Sequence, residues 1–306
     1  MKIAVSGSTG LVGSALVPVL RLAGHEVHPM VRARARDAQI AWSWVEKRID
    51  AESLGEMDAV VHLAGESIAE GRWTADKKRR IKDSRVEGTL LIARALAESK
   101  PRPSEDGPPS ALVCASAIGF YGERGAEPLD ESSPPGEGFL AEVCRAWEAA
   151  AEPARQAGFR VVHLRFGVIL SPDGGALKAM LLPFHLGLGG VVGSGEQFWS
   201  WIALEDAVGA IVHALGKERL TGPVNVVAPR AATNRVFTKT LGRVLRRPTL
   251  VPLPAPVARL VFGQKADELL LCSAKVEPGR LIETGYAFRH VELESGLRSA
   301  LGRPSA

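Results

Sequence analysis

The chain has 306 residues, 46% of them hydrophobic, and its 38 Lys and Arg against 34 Asp and Glu leave a formal net charge of +4. That much apolar material fills a large core, which excludes a disordered chain, and the length fits one large α/β domain or one domain with a smaller lobe. The basic residues are dispersed, which argues against nucleic acid: the one cluster, Lys77-Lys78-Arg79-Arg80, falls on a predicted helix and reads as a solvated face or an approach for anionic ligands.

In chain order, Lys2–Val5 is a short apolar strand that runs at once into Ser6-Gly7, with no apolar signal region before it. Leu11–Ala23 carries apolar residues at helical spacing and stops at Gly24. Glu26–Val31 and Ala59–Leu63 read as strands, the second ending in Ala64-Gly65, and Asp76–Ser99 reads as a long helix. Pro101–Ser110, rich in Pro, Ser, Asp and Gly, is expected to be a surface loop. Ala111–Ser116 is a strand, Phe139–Ala157 a helix and Arg160–Phe166 a strand. Such alternation implies right-handed crossovers and a parallel sheet. The expected fold is therefore α/β, a Rossmann-type doubly wound parallel sheet whose ligand lies at the carboxyl ends of the strands.

After about Gly167 the pattern changes. Gly174-Gly175 and Gly187–Gly195 read as irregular, Glu205–Leu215 as a helix and Val224–Val227 as a strand; Val251–Leu301 mixes short helical patterns with Pro and Gly. This part is expected to form a smaller C-terminal substrate lobe over the sheet. No run is apolar and long enough to span a membrane. Cysteines at 114, 144 and 272 hold no C-x-x-C and no disulfide framework, which fits a reducing compartment and a cytoplasmic protein.

Gly7-Ser8-Thr9-Gly10-Leu11-Val12-Gly13 follows a strand and opens a helix. In that context the first glycine makes a sharp turn, the second lets backbone approach a pyrophosphate, and the third lets helix pack on strand; the helix N-terminus offers free N–H groups to the phosphates. The spacing is G-x-x-G-x-x-G, not G-x-G-x-x-G. An NAD site ends its second strand with an acid for the ribose 2′-hydroxyl. Here that strand ends Met30-Val31-Arg32-Ala33-Arg34, with no acid before Asp37. A guanidinium at Arg32 suits a 2′-phosphate, so NADP is the expected cofactor. The expected division is a dinucleotide-binding domain over 1–166 plus roughly 205–228, and the smaller lobe over 167–204 and 229–306.

Further segments make the sequence recognisable: Val5-Ser6-Gly7 through Gly13, His62-Leu63-Ala64-Gly65-Glu66, Arg72-Trp73, Ser84-Arg85, Ala115-Ser116-Ala117-Ile118-Gly119-Phe120-Tyr121-Gly122, Trp147-Glu148-Ala149-Ala150, Leu182-Pro183-Phe184, Gly193-Ser194-Gly195 and Gly285-Tyr286. With them the chain resembles the extended short-chain dehydrogenase/reductases, and within these the atypical NAD-dependent epimerase/dehydratase-like "epimerase family protein" group with a C-terminal domain of unknown function. The resemblance implies that Leu63, Ala64 and Gly65 form the turn that packs on the adenosine part of the cofactor. His62 then stands where Asn is common, as a core or supporting residue. It further implies that Arg85 lies near the cofactor, and that Arg165-Phe166-Gly167-Val168 follows the sixth strand beside the nicotinamide, through backbone contacts.

It also implies a catalytic Ser, Tyr and Lys, the last two four residues apart, with a cation lowering the Tyr pKa. That pattern fails here. The only tyrosines are Tyr121 and Tyr286, followed four residues on by Gly125 and His290. Aligned on Trp147-Glu148, the Tyr and Lys places hold Leu140 and Cys144. Ser116 remains, either orienting a polar group or capping a strand end. Tyr121 lies five residues on, either packing or serving as a substitute acid if a cation such as Arg145 activates it. Trp199 and Trp201 either pack in the core or line the cleft, and His163 reads as structural. His185 and His213 have no metal-ligand spacing with each other or with an acid, so no metal is expected. Two functions are left: an NADP-dependent oxidoreductase or epimerase with non-standard acid–base residues, or a non-catalytic NADP(H)-binding sensor or regulatory module. The expected partner is a small molecule, with no nucleic acid and no membrane, for a monomer or homodimer.

Overall fold

Ile3 and Val5 of the first strand pack into one apolar core and Ala4 into another, all fully buried. Val61 and Val60, and Val113 and Leu112, divide between the same two cores. A strand covered on both faces needs that pattern. The structure is a computed structural model that describes residues 1–32, 38–99, 101 and 110–304. Asp37 and most of the expected loop, residues 102–109, lie outside the described residues.

The elements run β1 (Lys2–Ser6), α1 (Leu11–Leu22), β2 (Glu26–Val31), β3 (Ile40–Ser43), β4 (Arg48–Ile49), α2 (Ala51–Gly55), β5 (Ala59–His62), α3 (Ala75–Ser99) and β6 (Ala111–Ala117). There follow β7 (Pro128–Leu129), α4 (Phe139–Ala149), α5 (Glu152–Gln156), β8 (Arg160–Phe166), β9 (Val168–Leu170), α6 (Gly175–His185), β10 (Phe198–Trp199), β11 (Trp201–Ala203) and α7 (Leu204–Gly216). The chain ends with β12 (Gly222–Val226), β13 (Ala232–Thr233), α8 (Asn234–Leu245), α9 (Ala255–Phe262), β14 (Lys275–Val276), α10 (Gly279–Glu283) and α11 (Leu293–Ala300).

Eight strands form the main sheet in the order β12-β8-β6-β5-β1-β2-β3-β4, parallel throughout except at β3–β4. Side chains of α1 and α7 cover one face, and those of α3 and α5 the other, so the sheet is doubly wound as expected. From β1 the chain builds outward through β2 and β3, then returns to the other side of β1 with β5. The strand order therefore reverses between β1 and β5. Ligands of such sheets bind at that reversal, at the carboxyl ends, here beside Ser6-Gly7 and His62-Leu63.

Two segments depart from expectation. The helix expected over Phe139–Ala157 is two helices: Pro153, in the first turn of α5, has no N–H for a continuous ladder. Between the two glycine-rich segments read as irregular lies α6, a helix not expected there, which begins at Gly175 and tolerates Pro183 in its interior. A third core holds Leu170, Trp199, Trp201, Phe237, Leu241 and Leu297 beyond the sheet, with the pairs β9–β11 and β10–β13 around it. Both tryptophans are thus buried in packing, and Trp201 Nε1 donates to the Arg230 carbonyl at 2.9 Å. No helix among the described residues is long and apolar enough to cross a membrane.

Candidate functional site

The glycine turn is built backbone against backbone. Gly7 has φ +68°, and a Cβ there would lie 2.9 Å from both the Leu63 carbonyl carbon and the Ala64 nitrogen. A Cβ on Gly13 would strike the Gly7 carbonyl oxygen and lie 2.8 Å from Ser8 Cα, so α1 rests directly on the turn. Gly10 N-caps α1 without a side-chain hydrogen bond, and no acid stands in its first turn. The N–H groups at Leu11 and Val12 have no partner within the helix and remain for a ligand. Ser8 is half-buried and Thr9 exposed on the outer side of this turn. Arg32 is exposed just past β2.

Ser6, at the end of β1, holds the second turn. Its Oγ accepts from Leu63 N–H at 3.2 Å and Ala64 N–H at 3.3 Å. Both lone pairs are then used, so its own proton goes to His62 Nδ1 at 2.6 Å. His62 is fully buried and held neutral, its pKa lowered to about 4 by burial and by the Arg85 charge. It supports the Leu63–Gly65 turn from below, as expected of a supporting residue.

Arg85 rises from α3 beneath that turn. Its Nη1 donates to the Glu66 and Ile81 carbonyls, each at 3.0 Å, and its guanidinium lies 5.0 Å from the Trp147 ring centroid. A Cβ on Gly65 would lie 3.3–3.4 Å from this guanidinium. The basic run at 77–80 is not simply a solvated face. Lys77 is buried and donates to Glu66 Oε1 at 2.7 Å, with Arg80 3.5 Å from the same oxygen.

At the end of β6, Ser116 is buried and donates to Glu148 Oε1 at 2.7 Å. Glu148 also receives Arg165 Nε and Nη2, both at 2.8 Å. Arg165 lies 3.5 Å from the Phe120 ring centroid and donates to the Tyr121 hydroxyl at 3.0 Å. Tyr121 is fully buried, with its hydroxyl 2.7 Å from Asn225 Oδ1 and 2.9 Å from the Asp130 carbonyl. Burial raises its pKa against the opposing pull of Arg165. Tyr121 is therefore a protonated packing residue, and the cation on it is Arg165; Arg145 is exposed. Leu140 and Cys144 are buried against Gly119, whose Cβ would lie 3.2 Å from Leu140 Cβ and 4.0 Å from Cys144 Sγ. Burial pushes the Cys144 thiol up to about 12. Neither residue replaces the missing Tyr or Lys.

Arg165 and Phe166 lie within β8 rather than after it, and Val168 opens β9. The Val168 N–H is donated to the Ser200 carbonyl at 2.8 Å, so that donor is not free for a ligand. His163 is half-buried in β8, and desolvation there lowers its pKa. The described residues contain no cluster able to hold a metal ion. A groove of about 480 Å³ between α1, α7 and Ser171–Asp173 includes neither the glycine turn nor Ser116 and is separate from this site. Glu148, Arg165 and Asn225 were not legible as a network. The signal that existed was an arginine inside the apolar run of β8, a charge that burial requires to be paired.

Residues 3–228 match the NAD dependent epimerase/dehydratase family, and residues 253–300 match a domain of unknown function, DUF1731. An epimerase family protein of Mycobacterium bovis is 41% identical over 303 residues, covering 99% of this chain and 98% of that one. The crystal structure of human epimerase family protein SDR39U1 (isoform 2) with NADPH is 36% identical and covers 99% of both chains with a TM-score of 0.86. A nucleoside-diphosphate sugar epimerase from Corynebacterium glutamicum is 35% identical, with a TM-score of 0.80 over 99% of this chain and 58% of that one.

Proposed function

The chain belongs to the NAD dependent epimerase/dehydratase family, and from this premise we propose that it binds NADP(H) in the crevice between β1 and β5 and acts as an oxidoreductase or epimerase on a small molecule, without a Tyr–Lys pair. The observation that carries the reading is the glycine turn: Gly7 and Gly13 admit no Cβ, and α1 presents an uncapped N-terminus to a pyrophosphate. The residues fit the cofactor. Gly7 to Gly13 hold the diphosphate, Arg32 the 2′-phosphate, and Leu63 to Gly65 the adenosine side; the similar human protein whose structure contains NADPH supports the choice.

When bound, the nicotinamide supplies hydride transfer. The chain's contribution is positional. Ser116 donates its proton to Glu148, which is itself paired with Arg165, so what Ser116 has left to offer a substrate is its acceptor lone pairs. That suits a substrate presenting a hydroxyl donor. Val168, whose N–H is taken by the Ser200 carbonyl, would meet the cofactor through its side chain alone. Residues 1–166 with about 205–228 serve the cofactor, and 167–204 with 229–306 cover the substrate. The same proposal places the protein in the cytoplasm, as a monomer or homodimer.

A second reading, a redox sensor without turnover, draws on the burial of Tyr121 and Cys144, which leaves no acid–base side chain in the usual places. The test of the first is a fluorescence titration. NADPH should bind tighter than NADH, and Arg32→Ala should weaken NADPH selectively by roughly tenfold or more, the size of a charge-assisted contact. Equal loss for both cofactors, or a native preference for NADH, overturns the assignment. Absence of turnover across a broad panel of alcohols and sugar nucleotides, with tight NADPH binding, moves the protein to the second reading.

A further inference from the structure

Arg85 carries a half-buried guanidinium with no carboxylate partner among the described residues. Glu66, an acid whose charge acts on it, gives its carboxylate to Lys77 and Arg80. The two hydrogens of Nη1 go to the carbonyls of Glu66 and Ile81. Nε–H and both Nη2 hydrogens are left, three donors in one plane. The guanidinium is only half-buried, so these donors are open to an acceptor that a bound molecule supplies. Burial lowers the pKa of Arg85, with the charge still present at any ordinary pH.

Sheet order says where this cation stands. From one side of the crevice to the other, the strand ends run β2, β1, β5, β6. Arg32 lies at the β2 end and Ser116 at the β6 end. Arg85 lies between the β5 turn and α4: it backs onto Gly65, stacks on Trp147, and its charge is felt at both His62 and Cys144. Gly65 is exposed, and a side chain there would crowd the guanidinium. Cys144 is uncharged, so Arg85 is the cation that α3 and α4 bring to the Ser116 side of the crevice.

Resting on the NADP(H) reading above, we propose that Arg85 takes the place of the missing lysine, entering from α3 instead of α4, and that its free N–H groups hold the hydroxyl oxygens of the nicotinamide-side ribose. It is a cofactor-orienting residue. The adenosine half is held by the glycine turn, Arg32 and the backbone of Leu63 to Gly65, none of which receives a hydrogen bond from Arg85.

The experiment compares NADPH with adenosine 2′,5′-bisphosphate, which lacks the nicotinamide half, by titration against wild type, Arg85→Met and Arg85→Lys. Arg85→Met should weaken NADPH about tenfold or more, the size of hydrogen bonds from a charged group, and leave adenosine 2′,5′-bisphosphate within about twofold. Arg85→Lys, which keeps the charge and protects the fold, should recover part of the NADPH affinity with the bisphosphate again unchanged. Equal weakening of both ligands overturns the inference, because it reports a distorted Gly65 turn. So does NADPH affinity unaltered in Arg85→Met or, if that variant does not fold, in Arg85→Lys. These outcomes leave the cofactor reading standing. Wild type that binds neither ligand overturns both.

Discussion

At the scale of single residues, the site depends on atoms that leave no room and no spare protons. Gly13 rests on Gly7 and Ser8 because nothing larger than hydrogen fits. Ser6 spends two lone pairs and one proton on three partners, which fixes His62 as an acceptor at Nδ1 and therefore neutral. This has a pH signature. In the unfolded chain His62 takes up a proton near 6.5, in the fold only at about 4. Below about pH 6.5 the unfolded state binds more protons, so stability falls as pH falls toward 4, by up to about 3 kcal/mol from this group. His62→Asn keeps an acceptor for Ser6 and removes the titration. Urea unfolding between about pH 7 and pH 5 should therefore give a shallower loss of stability in the variant than in wild type. Identical pH slopes would show that His62 is not held neutral. The sequence identified His62 as a supporting residue; its proton balance depends on Ser6, a partner 56 residues away.

At the scale of elements, β6, β8 and α4 join through one charged core. Ser116 comes from the end of β6, Arg165 from β8 and Glu148 from α4, and they meet because β6 and β8 are adjacent and parallel, with Ser116 beside Arg165 in register. Across this junction, the hydroxyl of Ser116 donates to Glu148 while that of Tyr121 accepts from Arg165. If Ser116 orients the substrate, Ser116→Ala should cut any NADPH-linked turnover by about 10²-fold and leave NADPH affinity intact. Tyr121→Phe should instead lower stability, since it strips a hydrogen bond from buried Arg165, and spare most of the turnover. Steady-state rates beside thermal unfolding separate the two; full turnover in Ser116→Ala would place the chemistry elsewhere. The spacing of Ser116 and Tyr121 was visible in the sequence, but their different roles were not. A strand pattern gives the face on which a residue lies, not the partner that a neighbouring element supplies.

At the scale of the whole molecule, the C-terminal segment is tied to the dinucleotide sheet by buried polar groups. Asp206, in the first turn of α7 and fully buried, accepts from the Tyr286 hydroxyl at 3.1 Å and from the N–H groups of Arg289 and His290 at 2.8 and 2.9 Å. Glu268 reaches back to cap α4 through Phe139 N–H at 2.9 Å and Leu140 N–H at 3.0 Å. Asp206→Ala leaves two buried backbone donors without their acceptor, while the Tyr286 hydroxyl keeps the main-chain carbonyl of residue 206 at 3.0 Å, and should cost about 2–4 kcal/mol and expose the last segment to protease. Urea unfolding with trypsin digestion checks this; a loss below about 1 kcal/mol would mean the segment is held by its apolar contacts alone. By itself the sequence determined the doubly wound sheet, the glycine turn and the absence of a Tyr–Lys pair. Each is a matter of local periodicity, steric need or bare composition, and the chain carries these without knowing its own path. Only the tertiary structure decided that Arg165 serves Glu148, 17 residues distant, that Tyr121 meets Asn225, 104 residues distant, and that Arg85 stands unpaired under Gly65. Those contacts arise when separate elements pack, and the burial they bring is what keeps His62 neutral and Tyr121 and Cys144 protonated.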